Sequence, residues 1–300
     1  MLKLSEQDID YPRDSYDDCT TTGDLRRSIA KLPEVVQKYM TEALFLQLHN
    51  KGTIDYDDGR RVPIARSLRI EQEGTFLLNK KWIPFNATQE FSACPRHPGF
   101  VWDAVMKTKF MPVYVRDAYI EGVGIMKAQL PGGIPVVNMM DTLDLNMGEL
   151  MRWLAEAALF PLALVPTIKH KSENDEDPTV LKWVSPEEGC DDCAAVEIKH
   201  HNTVAKVYFH FDPTTHMITK IHAKRPRAVG DKTEMTHWEG YLFDYEIHGG
   251  LVVPTRMEAG WRLKDDEPVE LYFRGKNSSF IYLMNNGERH AIQTAHAHTE

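Results

Sequence analysis

The stretch "RSLRIEQEGTFLL", Arg66 to Leu78, alternates with a period of two. Leu68, Ile70, Phe76 and Leu78 share one parity, while Arg69, Glu71 and Glu73 hold the other. Successive side chains of a strand point to opposite faces, so the pattern reads as an antiparallel strand with one dry and one wet face. The same rhythm returns in "FVWDAVMKT", "MPVYVRDAYIEGVGIMKAQL" and "IPVVNM", punctuated by Pro and Gly. Farther on, "VAKVYFHFDPTTHMITKIHAKRP" reads as a hairpin about Asp212-Pro213-Thr214-Thr215, with Val207, Phe209 and Phe211 on one side. "HWEGYLFDYEIHGGLVVPTRMEAGWRL" forms a second hairpin turning at His248-Gly249-Gly250, and "VELYFRGKNSSFIYLM" adds another strand.

Two stretches keep a helical period instead. From about Asp24 the spacing of Val35, Val36, Tyr39, Met40 and Ala43 predicts a helix, with Pro33 dividing a short lead-in from the main part. The other is "MGELMRWLAEAALFPLALVP", Met147 to Pro166, expected to be helical as far as Pro161. Helix, strands, one apolar helix and more strands, without alternating βαβ units, predict a mainly β (α+β) fold. Its form is one large curved antiparallel sheet or half-barrel, with the N-terminal helix and the internal helix packed in or on the concave face. A single β-rich domain is expected over residues 24–284. A loose segment precedes it at 1–23 and a mobile polar tail comes after it at 285–300. The acidic stretches "KHKSENDEDP" and "SPEEGCDDCAA" read as surface insertions.

Composition narrows the partners. Of 300 residues, 42% are hydrophobic and 26% charged, and the net charge is -9, which argues against nucleic acid or an anionic membrane. The start has no apolar core of a signal peptide, and the most apolar window is broken by Glu149, Arg152, Glu156 and Pro161, so no membrane span is expected. Four cysteines at irregular spacing are too few for a disulfide scaffold, and a reducing, cytoplasmic setting is expected.

The apolar helix carries the main chemical signal. Glu149, Arg152 and Glu156 fall within about 60° of one another around a helix, on an otherwise greasy cylinder. One reading is an ion triad pinning the helix to the sheet. The other is the polar end of a ligand pocket, whose usual composition is an apolar wall with few convergent polar groups. In "PVYVRDAYIEG", alternation sends Arg116 to one face and Asp117 to the other, so one charge points inward; Arg116 is expected there, paired with the helix glutamates. Asp103, Trp102, Tyr119, Trp238, Tyr245 and Arg256 complete the expected ligand-binding set.

Of 13 histidines, His210 and His222 sit on adjoining strands, with His210 opposite the Val207, Phe209 and Phe211 row and so facing solvent. Cys190-Asp191-Asp192-Cys193 has no second pair, and its acids disfavour a thiolate, so a surface loop is expected rather than zinc held with His200 and His201. No metal and no cofactor are expected. G-x-S-x-G and H-E-x-x-H do not occur.

The blocks "LPEVVQKYM", "GTFLLNKKWIPFNATQEFSACPRHPGFVWDA", "VRDAYIEGVGIMKAQL", "GELMRWLAEAALFP", "FHFD" and "WEGYLFDYEIHGGLVVPTRMEAGW" run in order from about residue 32 to 275. Together they resemble an uncharacterised, largely bacterial family known as a domain of unknown function. The hairpins carrying "FDPTTHMITKI" and "FDYEIHGGLVVPTRME" are also similar to lipoprotein carriers of the LolA and LppX type. That resemblance implies a half-barrel over a greasy cavity plugged by helices. The expected function is therefore binding of a small, mostly hydrophobic or lipid-like molecule between the curved sheet and the 147–161 helix. The alternative is a cofactor-independent lyase, isomerase, cyclase or hydrolase using that cavity, with Glu149 or Glu156 as general acid–base and Arg152 holding an anion.

Overall fold

In the computed structural model the alternating stretches pair as antiparallel neighbours. The structure describes residues 20–44, 61–62, 65–166, 179–184, 190–230, 232–284 and 289–291. The segment before Thr20, the whole of "KHKSENDEDP", the first five residues of "SPEEGCDDCAA" and all of the tail except 289–291 lie outside these residues. The strands β1 (Thr20–Thr21) and β2 (Arg61–Val62) form a small separate sheet, and the helices α1 (Thr22–Ile29) and α2 (Glu34–Ala43) come after β1 in the chain. Pro33 stands at the start of α2, as its fixed φ and missing N–H require.

One meander runs through β3 (Ala65–Leu78), β4 (Lys81–Ser92), β5 (Gly99–Met106), β6 (Val113–Ile120), β7 (Val123–Leu130) and β8 (Ile134–Met140). The helix α3 (Leu143–Glu156) is next, then two 3-10 turns over Ala157–Leu159 and Pro161–Leu164. A second meander comprises β9 (Val180–Val184), β10 (Cys193–His200), β11 (Thr203–Phe211), β12 (Ile218–Val229), β13 (Lys232–His248), β14 (Leu251–Arg262) and β15 (Glu270–Met284), with β16 (Arg289–Ala291) paired to β15. Because β15 pairs with β3 as well as β14, the two meanders fuse into one sheet, in which the described residues form 14 strands: thirteen in the order β8-β7-β6-β5-β4-β3-β15-β14-β13-β12-β11-β10-β9, with β16 off this path on β15.

The sheet curls around α3. That helix touches β5, β6 and β7 near one edge and β11 and β12 near the other, strands that a flat sheet would hold far apart. At one end the arms meet: the Tyr119 hydroxyl lies 2.9 Å from His200 Nδ1, and the β6–β7 turn at Gly122 rests on the His201 ring. Gly122 has φ +87°, and a Cβ there would fall 2.6 Å from the ring, so only glycine fits. The architecture is the expected half-barrel.

Leu150, Trp153, Leu154, Ala157, Ala158 and Leu159 are buried in the concavity, and each large apolar side chain removed from water contributes about 1.5–3 kcal/mol. Trp153 Nε1 donates to Ser92 O at 2.9 Å and the Tyr282 hydroxyl to Leu159 O at 2.8 Å, so the helix is fixed to the sheet by its polar handles too. The helix starts four residues before the expected Met147, because Thr142 caps it, its Oγ1 accepting from Leu145 N at 3.2 Å. The α geometry ends at Glu156, giving way to 3-10 turns before Pro161. At the outer edge of the sheet, β8 exposes Ile134, Val136, Met139 and Met140 and carries no charge. Among the described residues no helix is long and apolar enough to cross a membrane.

Candidate functional site

Alternation from the register of β5 and β6 decides which charges enter the concavity. Trp102 pairs with Asp117 and Phe100 with Tyr119, and all four side chains are buried. Asp103 pairs with Arg116 on the opposite, convex face, where the guanidinium meets the carboxylate in two bonds of 2.7 and 2.6 Å. The expectation that Arg116 turns inward is thus corrected: Asp117 does so, because it shares parity with Val113, Val115 and Tyr119, the more apolar set. Arg256 is also on the convex side, bonded to Asp244 at 2.8 Å and lying over the Phe243 ring.

Inside, Arg152 takes the place of the missing sheet arginine. It forms ion pairs with Asp117 Oδ2 and, at 3.1 Å, with Glu156 Oε1. The other Glu156 oxygen accepts from Gln89 Nε2 at 2.7 Å. The Arg152 guanidinium lies 4.7 Å from the Phe100 ring centre and 5.4 Å from that of Trp102. Burial works against the Arg152 charge, but the carboxylates of Glu156, Asp117 and Glu149 outweigh it and hold its pKa above the ordinary range. The charged stripe is therefore largely an ion knot binding helix to sheet.

Glu149 is different. Burial first, and then repulsion from Asp117, push its pKa well above the carboxylate range, against the pull of Arg225 and Arg152. Glu149 Oε2 and Asp117 Oδ1 are buried, and no donor reaches either. A proton on Glu149 would supply the donor that two facing carboxylates otherwise lack, which is the direction of its pKa shift.

From this knot a ring of contacts runs over the concave wall and back to the helix. Arg152 covers Trp102; Trp102 meets Phe85 at 5.5 Å between ring centres, and Phe85 meets Phe273 at 5.7 Å. Phe273 adjoins Phe76 at 6.4 Å, and Phe76 adjoins Tyr272 at 5.4 Å. Trp238 Nε1 donates to the Tyr272 hydroxyl at 2.9 Å, Arg225 lies 5.3 Å from the Trp238 ring, and Arg225 donates to Gly148 O on α3 at 2.8 Å. Gly74 makes room for this arc: a Cβ there would lie 2.9 Å from the Phe85 ring and 2.0 Å from Arg274 O. Phe76, Tyr272 and Phe273, and Trp261 stacked on Tyr272 at 5.9 Å, are only half-buried, so the arc is not covered over as the helix floor is.

Of the expected set, Glu149, Glu156, Arg152, Trp102 and Trp238 converge here. Tyr119 is instead at the arm-to-arm contact, and Tyr245 donates to Ile218 O at 2.7 Å. Sequence reasoning named Asp117 only as the alternative to Arg116, and it missed Gln89, Arg225, Phe85, Tyr272 and Phe273. The two clearest surface depressions are open and on the convex side, one bordered by Glu71, Glu73, Thr88 and Asp103, the other by Arg256, Glu258, Arg274 and Lys276. Neither is lined by α3.

A model of a family of unknown function, DUF6920, matches residues 30–282. No curated protein matches. A DUF1329 family protein from Desulfovibrio piger overlaps at a TM-score of 0.38 and 12% identity, covering 73% of this chain and 86% of that one. A LolA superfamily protein from Nitrosomonas europaea overlaps at 0.37 and 8% identity, covering 81% and 91%. Overlaps this loose carry no argument about what the molecule does.

Proposed function

The chain belongs to DUF6920, a family of unknown function, and from its concave wall we propose that it binds a small amphipathic molecule with a large apolar part. The observation that carries this reading is the aromatic arc that leaves α3 at Arg152 and returns to it at Arg225. A wall of half-buried rings beside a few buried charged groups has the composition of a small-molecule site. The apolar part of the ligand would lie on Phe76, Tyr272, Phe273 and Trp261. Its polar end would face Arg225 and the carboxyl of Glu149, which is a donor whenever it carries its proton. Anionic or neutral ends fit better than cationic ones, since Arg152 and Arg225 flank that carboxyl.

Native mass spectrometry of the gently purified chain, with solvent extraction of its bound molecules, tests this. A bound amphipathic molecule is expected, lost or reduced at least tenfold in Phe273→Ala and Trp261→Ala. A chain that carries nothing, and does not quench its tryptophans when titrated with a fatty-acid analogue, sinks the proposal.

The raised pKa of Glu149, a buried carboxyl beside Asp117, favours a second reading, acid–base catalysis on the same ligand, because a carboxyl that holds its proton more tightly than usual suits a proton donor. Glu149→Gln separates the two. A carrier keeps its ligand in this variant, whereas an enzyme keeps the ligand and loses turnover by at least a hundredfold.

A further inference from the structure

On the convex face, the side of the sheet opposite the aromatic arc, β10 and β11 bring sulfur and imidazole together. Cys193 stands directly across from His210 in the antiparallel register, and the two side chains share a face. Cys190 completes the group, its Sγ 3.9 Å from His210 Nδ1. Ligand atoms of Cys190, Cys193 and His210 all fall within 4.8 Å of one another. The turn that carries the cysteines is tied to the sheet, Phe211 N donating to Asp192 O at 2.9 Å.

The imidazole is oriented as well as near. His210 Nε2 and His222 Nδ1 are 2.7 Å apart, so a proton on Nε2 leaves the Nδ1 lone pair directed at the sulfurs. His222 is held in turn, stacked on Tyr208 at 4.5 Å and on His237 at 5.4 Å, and His237 Nε2 lies 3.3 Å from Glu239. A metal-binding imidazole is usually fixed in this manner, by a hydrogen bond at its far nitrogen.

We propose that the reduced chain binds a thiophilic divalent cation of the zinc class through Cys190 Sγ, Cys193 Sγ and His210 Nδ1. Two thiolates and one imidazole are a ligand set of that class and leave a fourth position for water or substrate. Cys190 and Cys193 are bonded to each other in the structure, so the site has two states. Opening the disulfide takes two electrons and two protons and yields two thiols: a dithiol supplies both and becomes a disulfide, whereas a phosphine supplies the electrons and becomes its oxide, with water giving the oxygen and the protons. The cation then displaces both thiol protons into solvent. The side chains of Asp191 and Asp192, next to the sulfurs in the chain, add favourable charge.

The test uses the full-length chain, reduced with a water-soluble phosphine, stripped with a chelator and titrated with Co2+ and then Zn2+. One Co2+ per chain is expected, with a thiolate-to-metal charge-transfer band in the near ultraviolet that Zn2+ abolishes. The oxidised chain should give no such band, a comparison that needs no substitution and so no assumption about folding. Cys193→Ser should lose the band, His210→Ala should weaken binding at least tenfold, and His222→Phe should weaken it roughly 10–100-fold. Absence of the band from the reduced chain overturns the proposal. So does equal binding by the oxidised or Cys193→Ser chain, which would place the ion on other groups such as the histidines of "HAHTE".

Discussion

Burial, and then the neighbouring Asp117 carboxylate, raise the Glu149 pKa well above its ordinary value, and this gives stability a definite pH dependence. Its folded pKa lies above the unfolded value of about 4.3, so between the two the native state binds the extra proton. Stability contributed by that proton is complete below the unfolded value and is lost as pH rises through the folded one. Glu149→Gln keeps a donor for Asp117 and has nothing to titrate. The melting temperature of the variant relative to the parent is therefore expected to rise as pH is raised above the unfolded value, by calorimetry; a flat difference would show that Glu149 has the same pKa folded and unfolded. Arg152→Met strands Asp117 and Glu156 as buried carboxylates and should cost about 3–5 kcal/mol in denaturant unfolding. That Glu149 and Arg152 work together was legible from their spacing on one helix face. Their sheet partner was not assigned correctly, because a guanidinium is the habitual mate of a glutamate. The apolar company of Asp117 at positions 113, 115 and 119 held the better clue.

Elements differ in how openly they advertise their limits. The turns at Asp212 and at His248-Gly249-Gly250 are where the turn residues put them, Asp212 Oδ1 accepting from Thr214 N and Thr215 N at 2.9 and 2.7 Å. The start of α3 was placed late, since Leu143-Asp144-Leu145-Asn146 lacks the greasy look of the Leu150–Leu159 stretch and only Thr142 marks it. Thr142→Ala should cost about 1 kcal/mol by removing that cap. The strand β10 was hidden because its first residues close an acidic loop. Cys193 and His210 are equidistant from the His201-Asn202 turn, so recognising the hairpin would have paired them. Gly122→Ala forces a side chain against His201 and should destabilise by more than about 1 kcal/mol. The loss should exceed that from the same change at Gly132, where φ is +86° but no neighbour stands within 4 Å.

Across the whole molecule the decisive contact is the seam between β3 and β15, where Gln72 bonds to Asn277 at a separation of 205 residues. Closing so long a loop is slow, so refolding should take seconds or longer, with the hairpins formed first. Pulse-labelled hydrogen exchange should find β10 and β11 amides protected before those of the seam; simultaneous protection would contradict this order. Curvature itself was legible from the alternation of long strands with one apolar helix, but the aromatic arc was not. It gathers residues from β3, β4, β5, β13 and β15, and no local pattern says which strands become neighbours. One junction ties the scales together. Only Asp141 and Thr142 separate the uncharged rim strand β8 from the first turn of α3. With so short a leash, whatever grips or lifts that rim should pull on the central rod and reach the buried carboxyl of Glu149 within.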